Sequence, residues 1–477
     1  MNDREKIVAE INHRFILLKE NGEEIPINLD MINQQTQIKK DFPELVKLIN
    51  FEVLGKKPGI IPPSIKLMRN MELIDYEPAS DSGHFRFYPK GALMLKLLED
   101  WAEEIAVNRF GAMQIESPIL YDWNHQAIRS QGESFHERHY VVHVPEHPEK
   151  EFVLRFAGDF GLFCMVSDAN ISYRNLPLRI YEFSKSFRYE RSGELVGLRR
   201  LRAFSMPDIH SFCEDINQSW EEYKKLYKNY ADLADAMNIE YGIIFRIVDS
   251  FYEKYKDQIL LMLKYSKKPC IVDILSGMKH YWAVKHEFQG LDSIGGACQV
   301  STVQLDVEDA EKYNIIYTNQ QGKEQGCIIC HSSIGALERW IFLILETAQK
   351  ADIPQFPLWL SPIQVRVIPV SKKFNEFAIQ IASELKNSKI RVDVDDRSKS
   401  VGNRIRIAEK EWTPYILVVG QKEKNSMKLS VKKRDKKTII KMEIKQFIEV
   451  IRKKIDGMPF RQSSLPILLS RRPIFYG

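Results

Sequence analysis

Charged and aromatic residues between positions 183 and 213 follow a spacing that could bind a phosphorylated nucleotide. Arg188 and Glu190 stand two residues apart, so in a strand they would project from one face, a cation beside a hydrogen-bond acceptor. After the turn-rich segment RSGEL, a returning strand over 197–204 is predicted to carry three residues on one face: Arg200, Arg202 and Phe204. Two such strands would bracket ATP. The plainer alternative is a surface hairpin whose arginines are only solvated.

Two further groups of residues favour a binding site. Asp208 and His210 follow at once, and alternation along a strand would place this carboxylate and imidazole on one side. Far downstream, Gly335 opens an apolar helix with Arg339 in its first turn, where backbone N–H groups favour anions. The chain therefore offers phosphate-binding and metal-binding groups that a fold could bring together.

These motifs resemble those of a known family. The segment FRYE with its R-x-F return resembles motif 2 of the class II aminoacyl-tRNA synthetases, and GALER resembles their motif 3. With SYRNLPLRIYEF before the first and STVQLD before the second, the chain resembles the threonyl-tRNA synthetases in their archaeal-type form, from about residue 65 to 434. The resemblance implies an α+β fold with an antiparallel-sheet catalytic domain and a C-terminal α/β anticodon-binding domain. We expect a small N-terminal appendage at 1–62, the catalytic domain at 63–358 and the anticodon-binding domain with its tail at 359–477.

The resemblance also implies roles for individual residues. It assigns ATP binding to Arg188, Glu190, Arg200, Phe204, Gln299, Thr302 and Arg339, with Arg188, Arg200 and Arg339 as the catalytic cations. It assigns amino-acid and tRNA-end binding to Asp208, Tyr281, Lys285 and Gln304. Mg²⁺ is expected to accompany ATP. The implied reaction is attack of the threonine carboxylate on the α-phosphorus, followed by transfer to tRNA(Thr).

The metal site is where the sequence departs from this family. The family has a cysteine ligand at the place of Asp159, a histidine at His210, and a second histidine that aligns without gaps on Cys330. We therefore predict one Zn²⁺ per subunit on Asp159, His210 and Cys330, since zinc accepts oxygen, nitrogen and sulfur ligands. Two anionic ligands would make the ion a weaker Lewis acid. His331 is the alternative third ligand. A zinc knuckle or redox pair at Cys327 and Cys330 is disfavoured by the lack of a second CxxC.

Another histidine cluster is predicted to be unrelated to metal binding. His139, His143 and His147 have HxxxH spacing, but the intervening YVV is strand-like and Pro145 prevents a helix from joining the last pair. The three imidazoles would spread along a strand, so we expect a surface role.

From about residue 361 the pattern changes to alternating strands and helices, which predicts a small α/β domain. It resembles the anticodon-binding domain of the class IIa synthetases. The positions that match base-contacting residues are Arg397, Ser398, Lys399, Arg404, Glu423 and Arg434. Solvated basic loops are the plainer alternative.

Composition sets the remaining expectations. The 477 residues carry a net charge of only +5, and six cysteines in so long a chain do not form a disulfide framework, which favours a reducing cytoplasm. No run of eighteen apolar residues or signal peptide occurs, so we expect a soluble protein without a membrane partner. The helix over 92–108 and the strand after it resemble motif 1, which implies a homodimer.

The first sixty or so residues are too few for the hydrolytic domain that relatives carry. We therefore expect no cis-editing of seryl-tRNA, and a separate trans-editing protein. Two alternative functions remain at this point: a prolyl-tRNA synthetase-like enzyme, or a non-catalytic synthetase-like RNA-binding subunit.

Overall fold

A computed structural model describes residues 11–133, 138–434 and 438–475. Its strands are β1 His13–Leu18, β2 Glu24–Pro26, β3 Ile74–Tyr76, β4 Phe85–Phe87, β5 Met113–Ile115, β6 Leu120–Asp122, β7 Val141–Val144, β8 His147–Leu154, β9 Leu178–Phe187, β10 Ala203–Cys213, β11 Tyr241–Val248, β12 Cys270–Leu275, β13 Trp282–Leu291, β14 Ala297–Asp306, β15 Ile316–Thr318, β16 Glu324–Gly326, β17 Ile328–Ser333, β18 Val365–Pro369, β19 Val392–Val394, β20 Tyr415–Val419, β21 Lys428–Lys433 and β22 Ile439–Glu443.

Its α-helices are α1 Thr36–Asp41, α2 Pro43–Leu48, α3 Ser64–Asn70, α4 Pro89–Glu103, α5 Gln126–Glu133, α6 Asp159–Ser167, α7 Ile216–Ala236, α8 Asp249–Ser266, α9 Asp309–Lys312, α10 Leu337–Gln349, α11 Asn375–Asn387, α12 Val401–Lys410, α13 Gln421–Ser426 and α14 Ile444–Lys454. Two π-helical segments, Ile49–Val53 and Glu104–Arg109, directly follow α2 and α4. Short 3₁₀ turns lie at Tyr173–Asn175, Ser192–Glu194, Lys372–Phe374 and Leu469–Arg471.

The chain divides into two compact units. The first comprises the residues up to Pro62, Ser82–His84 and Ala102–Leu343, and the second comprises Pro63–Asp81, Phe85–Trp101 and the residues from Ile344 onward. The predicted domain limits at residues 62 and 358 stay a prediction.

The first unit is built on one large sheet. Among the described residues it contains ten strands in the order β2-β1-β12-β11-β13-β14-β17-β10-β9-β5. Its pairings are antiparallel except β11 with β12 and β5 with β9. The predicted antiparallel catalytic sheet is confirmed.

Helix α7 covers one face of this sheet because its own sequence is amphipathic. Asp215 caps its N-terminus by accepting a hydrogen bond from the Gln218 N–H at 2.8 Å. The buried side of the helix is aromatic: Trp220, Tyr223, Tyr227 and Tyr230. The Tyr230 hydroxyl lies 2.7 Å from the Ser332 hydroxyl on β17. One face of the sheet is thus filled, and the other is left for a site.

The N-terminal segment extends the same sheet. Strand β1 pairs antiparallel with β12, from His13 opposite Leu275 to Leu18 opposite Cys270. Behind it, Leu17 and Leu48 pack in one apolar cluster with Ile244 and Ile271 of the central strands.

The hairpin that the sequence predicts to bind a nucleotide differs from its predicted form. Strand β9 ends at Phe187, so Arg188 and Glu190 lie just beyond it rather than in a strand. The Glu190 N–H bonds back to the Arg188 carbonyl at 2.8 Å, which turns the chain. The returning strand begins only at Ala203. The predicted strand over 197–204 was therefore wrong over most of its length.

The second unit contains the predicted α/β domain. Its described five-stranded sheet has the order β19-β18-β20-β21-β22, with β19, β18 and β20 parallel and the last two pairings antiparallel. Strand β22 leads directly into helix α14. Apolar residues of α11, such as Ala378 and Leu385, pack in one core with those of α14, such as Phe447.

None of the described helices is both long and apolar enough to cross a membrane.

Candidate active site

A cavity of about 570 Å³ opens on the free face of the large sheet in the first unit. This volume suits a small-molecule ligand. It is lined by nearly all of the residues predicted for ATP, amino acid and metal: Asp159, Arg188, Glu190, Arg200, Phe204, Asp208, His210, Tyr281, Lys285, Gln299, Thr302, Gln304 and Arg339. These residues come from positions up to 180 apart in the sequence, and the sheet brings them together.

A polar row crosses the sheet beneath this cavity. Residues directly opposite one another on neighbouring strands share a face. The successive pairs join Arg246 to Lys285, Lys285 to Gln304, Gln304 to His331, and His331 to His210. Because strands lie about 4.8 Å apart, the row spans roughly 19 Å. One end of the row is cationic and the other carries two imidazoles.

Three potential metal ligands meet at the imidazole end. Asp159, His210 and His331 each offer a ligand atom, and these atoms all lie within 4.8 Å of one another. Asp159 Oδ1 is 3.2 Å from His210 Nε2, and the two imidazole centroids are 4.9 Å apart. Phe163 packs edge-on against both rings. One carboxylate and two imidazoles in partly apolar surroundings are a set that zinc accepts.

Cys330 does not belong to this group. It is paired with Ser211, whereas His331 is paired with His210, so the Cys330 side chain projects from the opposite face of the sheet. There it is fully buried, and burial raises the pKa of its thiol well above the ordinary value. A protonated thiol is a poor ligand. The predicted trio is therefore corrected to Asp159, His210 and His331.

The pKa values of Asp159 and His210 favour the forms of these two groups that bind a cation. Burial alone would raise the pKa of Asp159, but the hydrogen bond and charge interaction with His210, with smaller contributions from His331 and Arg188, lower it to about 2. Burial lowers the pKa of His210, which keeps a lone pair available. Burial and the nearby Asp159 charge raise the pKa of Asp208 to about 7. Its Oδ2 accepts a hydrogen bond from the Ser184 hydroxyl at 2.8 Å.

The arginines occupy another part of the cavity. The Arg188 guanidinium lies 5.2 Å from the Phe204 ring centroid, and its Nε donates to the Phe156 carbonyl at 2.9 Å. Burial and the nearby charge of Arg339 lower the pKa of Arg188. Two close guanidinium groups repel each other, so an anion between them is favoured. Arg200 donates to Glu190 Oε2 at 2.8 Å.

Gly335 and Glu338 set the position of Arg339. Gly335 has φ +89°, and a Cβ there would lie 1.3 Å from the Val300 carbonyl oxygen, so only glycine fits. Glu338 accepts hydrogen bonds from the Ser205 N–H at 3.0 Å and the Ser205 hydroxyl at 3.1 Å. Arg339 then lies in the first turn of α10, as predicted, and its Nε donates to the Arg199 carbonyl at 3.1 Å.

Comparison with known proteins identifies the family to which this chain belongs. Residues 140–348 match the model of the tRNA synthetase class II core domain (G, H, P, S and T), and residues 364–454 match that of the anticodon binding domain. A threonine–tRNA ligase of Thermococcus gammatolerans is 44% identical over 91% of this chain and 70% of its own length. One of Thermococcus kodakarensis is 41% identical over 99% of this chain and 75% of its own length. The chain belongs to the threonyl-tRNA synthetase family.

A solved structure shows the same fold. The RNA binding domain of threonyl-tRNA synthetase from Cryptosporidium parvum aligns with a TM-score of 0.72 at 23% identity, covering 83% of this chain and 98% of that one. Of the two enzyme families weighed from the sequence, the relatives decide for the threonyl-tRNA synthetases over the prolyl enzymes.

The remaining cavity residues of this family member are tied into the sheet. The Tyr281 hydroxyl donates to Gln304 Oε1 at 2.9 Å. The Thr302 hydroxyl donates to the His286 carbonyl at 2.7 Å. Lys285 Nζ lies 2.7 Å from Glu287 Oε1. These contacts hold the side chains in place before a substrate arrives.

The second unit holds the residues predicted to meet the anticodon, and it separates them into two groups. Ser398 and Lys399 are exposed. Arg404 is buried and donates to the carbonyls of Asp395 and Pro369 at 2.7 and 2.8 Å. Its guanidinium is therefore turned into the domain, which disfavours a base contact, and the predicted anticodon role of Arg404 stays a prediction.

The other members of that set have internal partners. Arg397 pairs with Asp395 through two hydrogen bonds of 2.8 and 2.7 Å. Glu423 accepts from the Gly420 N–H at 3.1 Å and caps α13. Arg434 donates to the Pro354 carbonyl at 2.6 Å. Within the described chain, Ser398 and Lys399 are the members of this set left facing solvent.

The HxxxH histidines lie on the hairpin of β7 and β8 and its approach. His143 and His147 are exposed, as expected. His139 is half-buried and packs against Phe156, with ring centroids 4.5 Å apart.

Two features were missed from the sequence. Asp306 contacts His331, and alternation from Thr302 through Gln304 could have placed it on the same face. His13, which also lines the cavity, bonds through Nδ1 to Asp273 at 2.8 Å. No local pattern signals this pair, because it depends on the pairing of β1 with a strand some 260 residues away.

Proposed function

We propose that the chain is an ATP-dependent threonine–tRNA ligase that forms threonyl-adenylate and transfers threonine to the terminal adenosine of tRNA(Thr). The observation that carries this proposal is a single cavity that joins the Asp159, His210 and His331 group to the arginines Arg188 and Arg339. A site that only bound RNA would not require both an amino-acid pocket and a triphosphate pocket.

The proposed metal is Zn²⁺, one per subunit, held by Asp159, His210 and His331. When bound, it supplies coordination of the amino and hydroxyl groups of threonine. Threonine and valine are nearly isosteric, so an apolar pocket separates them poorly, whereas a site built to bind the hydroxyl rejects valine by about 10⁴–10⁵-fold. The corrected ligand set contains one anionic ligand instead of two, which leaves more positive charge on the ion than the sequence predicted.

The arginines promote the activation step. The threonine carboxylate is already a nucleophile, so no general base is needed when it attacks the α-phosphorus and pyrophosphate leaves. Arg188, Arg339 and Arg200 neutralise the charge that develops on the phosphates, which arrive with Mg²⁺. Arg200 would exchange part of its pairing with Glu190 for phosphate. Phe204 offers a ring to the adenine.

The transfer step uses the polar row. Tyr281 and Gln304 are bonded to each other beside the metal ligands, where they can orient threonine. Gln299 and Thr302 lie on the same strand, β14, and line the cavity, so they are the candidates for contact with the nucleotide. Lys285 lies farther along the row, where a cation suits the phosphates of an incoming tRNA end.

Wider aspects of the function are proposed on the same basis. Lys399 and Ser398 are the candidates for anticodon contact, and α4 with β5 is the candidate homodimer contact by its resemblance to motif 1. All six cysteines are free, which suits a cytoplasmic enzyme. Size-exclusion chromatography with light scattering tests the homodimer, and a monomeric mass would contradict it.

Editing is proposed to be absent in cis and supplied by a separate protein. Serine keeps the hydroxyl and lacks one methyl, which is worth about 1–3 kcal/mol and separates the two amino acids too weakly for translation. Purified chain should therefore form detectable seryl-tRNA. Charging assays with serine at high enzyme concentration test this, and no seryl-tRNA would contradict it.

Threonine-dependent ATP–pyrophosphate exchange tests the main proposal. The untreated protein should exchange pyrophosphate, chelation should abolish exchange, and added Zn²⁺ should restore it. Arg188→Ala and Arg339→Ala should each lower kcat by about 10²–10³-fold, the usual effect of removing a preorganised charge partner. The matched control is Arg191→Ala, an exposed arginine of the same loop, which should leave exchange unchanged. RNA binding without exchange would favour the non-catalytic alternative.

A further inference from the structure

Asp306, at the end of β14, lies buried beside His331. Its Oδ2 is 2.7 Å from His331 Nε2, and it is only 1% exposed. The imidazole of His331 lines the cavity, so one ring nitrogen is bound by Asp306 while the ring itself faces the site.

Both carboxylate oxygens of Asp306 act as acceptors. Oδ1 accepts hydrogen bonds from the backbone N–H groups of Glu308 at 2.8 Å and Asp309 at 2.9 Å. Oδ2 therefore accepts from His331, which requires the proton of the neutral imidazole to be on Nε2. Nδ1 is then the nitrogen with a free lone pair.

We propose that Asp306 is the positioning residue for His331: it holds the ring in place with the proton on Nε2, so that Nδ1 can bind the metal ion shared with Asp159 and His210. The inference rests on the metal site of the proposed function. A carboxylate behind a ligating histidine fixes the tautomer and raises the basicity of the ligand.

An alternative is a second cation site on Asp306, Asp309 and His331, whose ligand atoms also lie within 4.8 Å of one another. The pairings argue against it. Asp309 Oδ1 already lies 2.6 Å from Lys312 Nζ, which neutralises that carboxylate. One imidazole could serve both ions only by losing its Nε2 proton. We therefore infer one ion, with Asp306 behind its ligand.

Asp306→Asn tests the inference because it reverses one hydrogen bond and preserves the rest. The amide oxygen can still accept from the two backbone N–H groups, but the amide nitrogen would donate to Nε2 and drive the proton to Nδ1. We expect Zn²⁺ affinity, measured on the full chain by competition with a chromophoric chelator, to fall by about 10–100-fold. Circular dichroism should show unchanged folding.

Asp309→Asn is the matched control, since it alters a neighbouring buried carboxylate that bonds Lys312 instead. It should bind one equivalent of Zn²⁺ as tightly as the unsubstituted protein. Unchanged affinity in Asp306→Asn, or two equivalents of Zn²⁺ with one lost in Asp309→Asn, would overturn the inference. If the unsubstituted protein bound no Zn²⁺, the metal site itself would be wrong and the inference with it.

A second measurement covers the case in which Asp306→Asn does not fold. Nitrogen-15 NMR of histidine-labelled, metal-free protein reports which ring nitrogen carries the proton. A His331 signal with Nε2 protonated, assigned by its loss in His331→Ala, supports the inference. A proton on Nδ1 overturns it.

Discussion

His210 and His331 lie directly opposite each other across β10 and β17, and their imidazole centroids are 4.9 Å apart. This register places His331, and not the adjacent Cys330, on the same face of the sheet as His210. His331→Ala should remove a ligand, and threonine activation should fall by more than about 100-fold, beyond the usual effect of losing an outer-shell partner. Zinc content and pyrophosphate exchange measure both effects.

Cys330→Ser is the matched variant for that prediction, because the neighbouring side chain projects from the other face. It should keep its zinc and its activity. As an independent check, the Co²⁺-loaded protein should lack a thiolate-to-cobalt charge-transfer band. Loss of metal in Cys330→Ser, or the presence of that band, would show that Cys330 is a metal ligand.

Phe51 links the N-terminal segment to Arg339, a residue that lines the cavity, through Arg199. Its ring centroid is 5.4 Å from the guanidinium carbon of Arg199, whose carbonyl accepts the hydrogen bond from Arg339 Nε. Phe51→Ala should loosen this chain of contacts and raise the KM for ATP by about two- to five-fold, the equivalent of about 0.5–1 kcal/mol for a cation–π contact. Pyrophosphate exchange at varied ATP concentration measures the change.

Phe42→Ala controls for packing, since Phe42 belongs to the same apolar cluster as Phe51. It should lower stability without changing the KM for ATP. An equal rise in KM for both variants would mean that the segment acts only through general packing.

The buried carboxylate of Glu287 predicts how the free energy of unfolding changes at acid pH. Burial opposes its charge, but Lys285 and Arg246 lower its pKa to about 2, from an ordinary 4.5. Because the folded pKa is the lower one, the stabilisation is complete above about pH 4.5 and is lost as pH falls through 2. Glu287→Gln should lower the free energy of unfolding at pH 7 by up to about 3 kcal/mol.

Urea denaturation at several pH values tests this. The deficit of Glu287→Gln should shrink steadily between pH 4.5 and 2. Glu221→Gln, at an exposed glutamate of α7, should show no such trend. A deficit of Glu287→Gln that stayed constant with pH would contradict the assignment.

Much of the site could be predicted from sequence because the side-chain period of a strand is fixed. Alternation placed Asp208 on one face with His210, and both line the cavity. The pairing register between β10 and β17 is different, since it depends on long-range contacts. Without that register, the sequence does not show whether Cys330 or His331 lies on the same face as His210.

The same limit applies to the hairpin that the sequence predicts to bind a nucleotide, and to the anticodon-binding domain. A strand was predicted through Arg188, but the bond from the Glu190 N–H to the Arg188 carbonyl ends it earlier. The sequence predicts Arg404 to be a solvated or RNA-binding cation. The helical pattern around it does not show that its guanidinium bonds to the Asp395 and Pro369 carbonyls. The charge of Arg404 predicts an exposed side chain, but its hydrogen bonds to two backbone carbonyls hold it in a buried position.

Arg404 and Lys399 therefore predict opposite outcomes on substitution. Arg404→Ala should leave two buried carbonyls without donors and cost about 1–3 kcal/mol for each, with lower stability in urea. Lys399→Ala should leave stability unchanged, weaken tRNA binding, and reduce the salt dependence of binding by about one phosphate contact. Filter binding at several salt concentrations measures the second effect. Weaker tRNA binding by Arg404→Ala at full stability would show that this guanidinium leaves its carbonyl partners to read the anticodon after all.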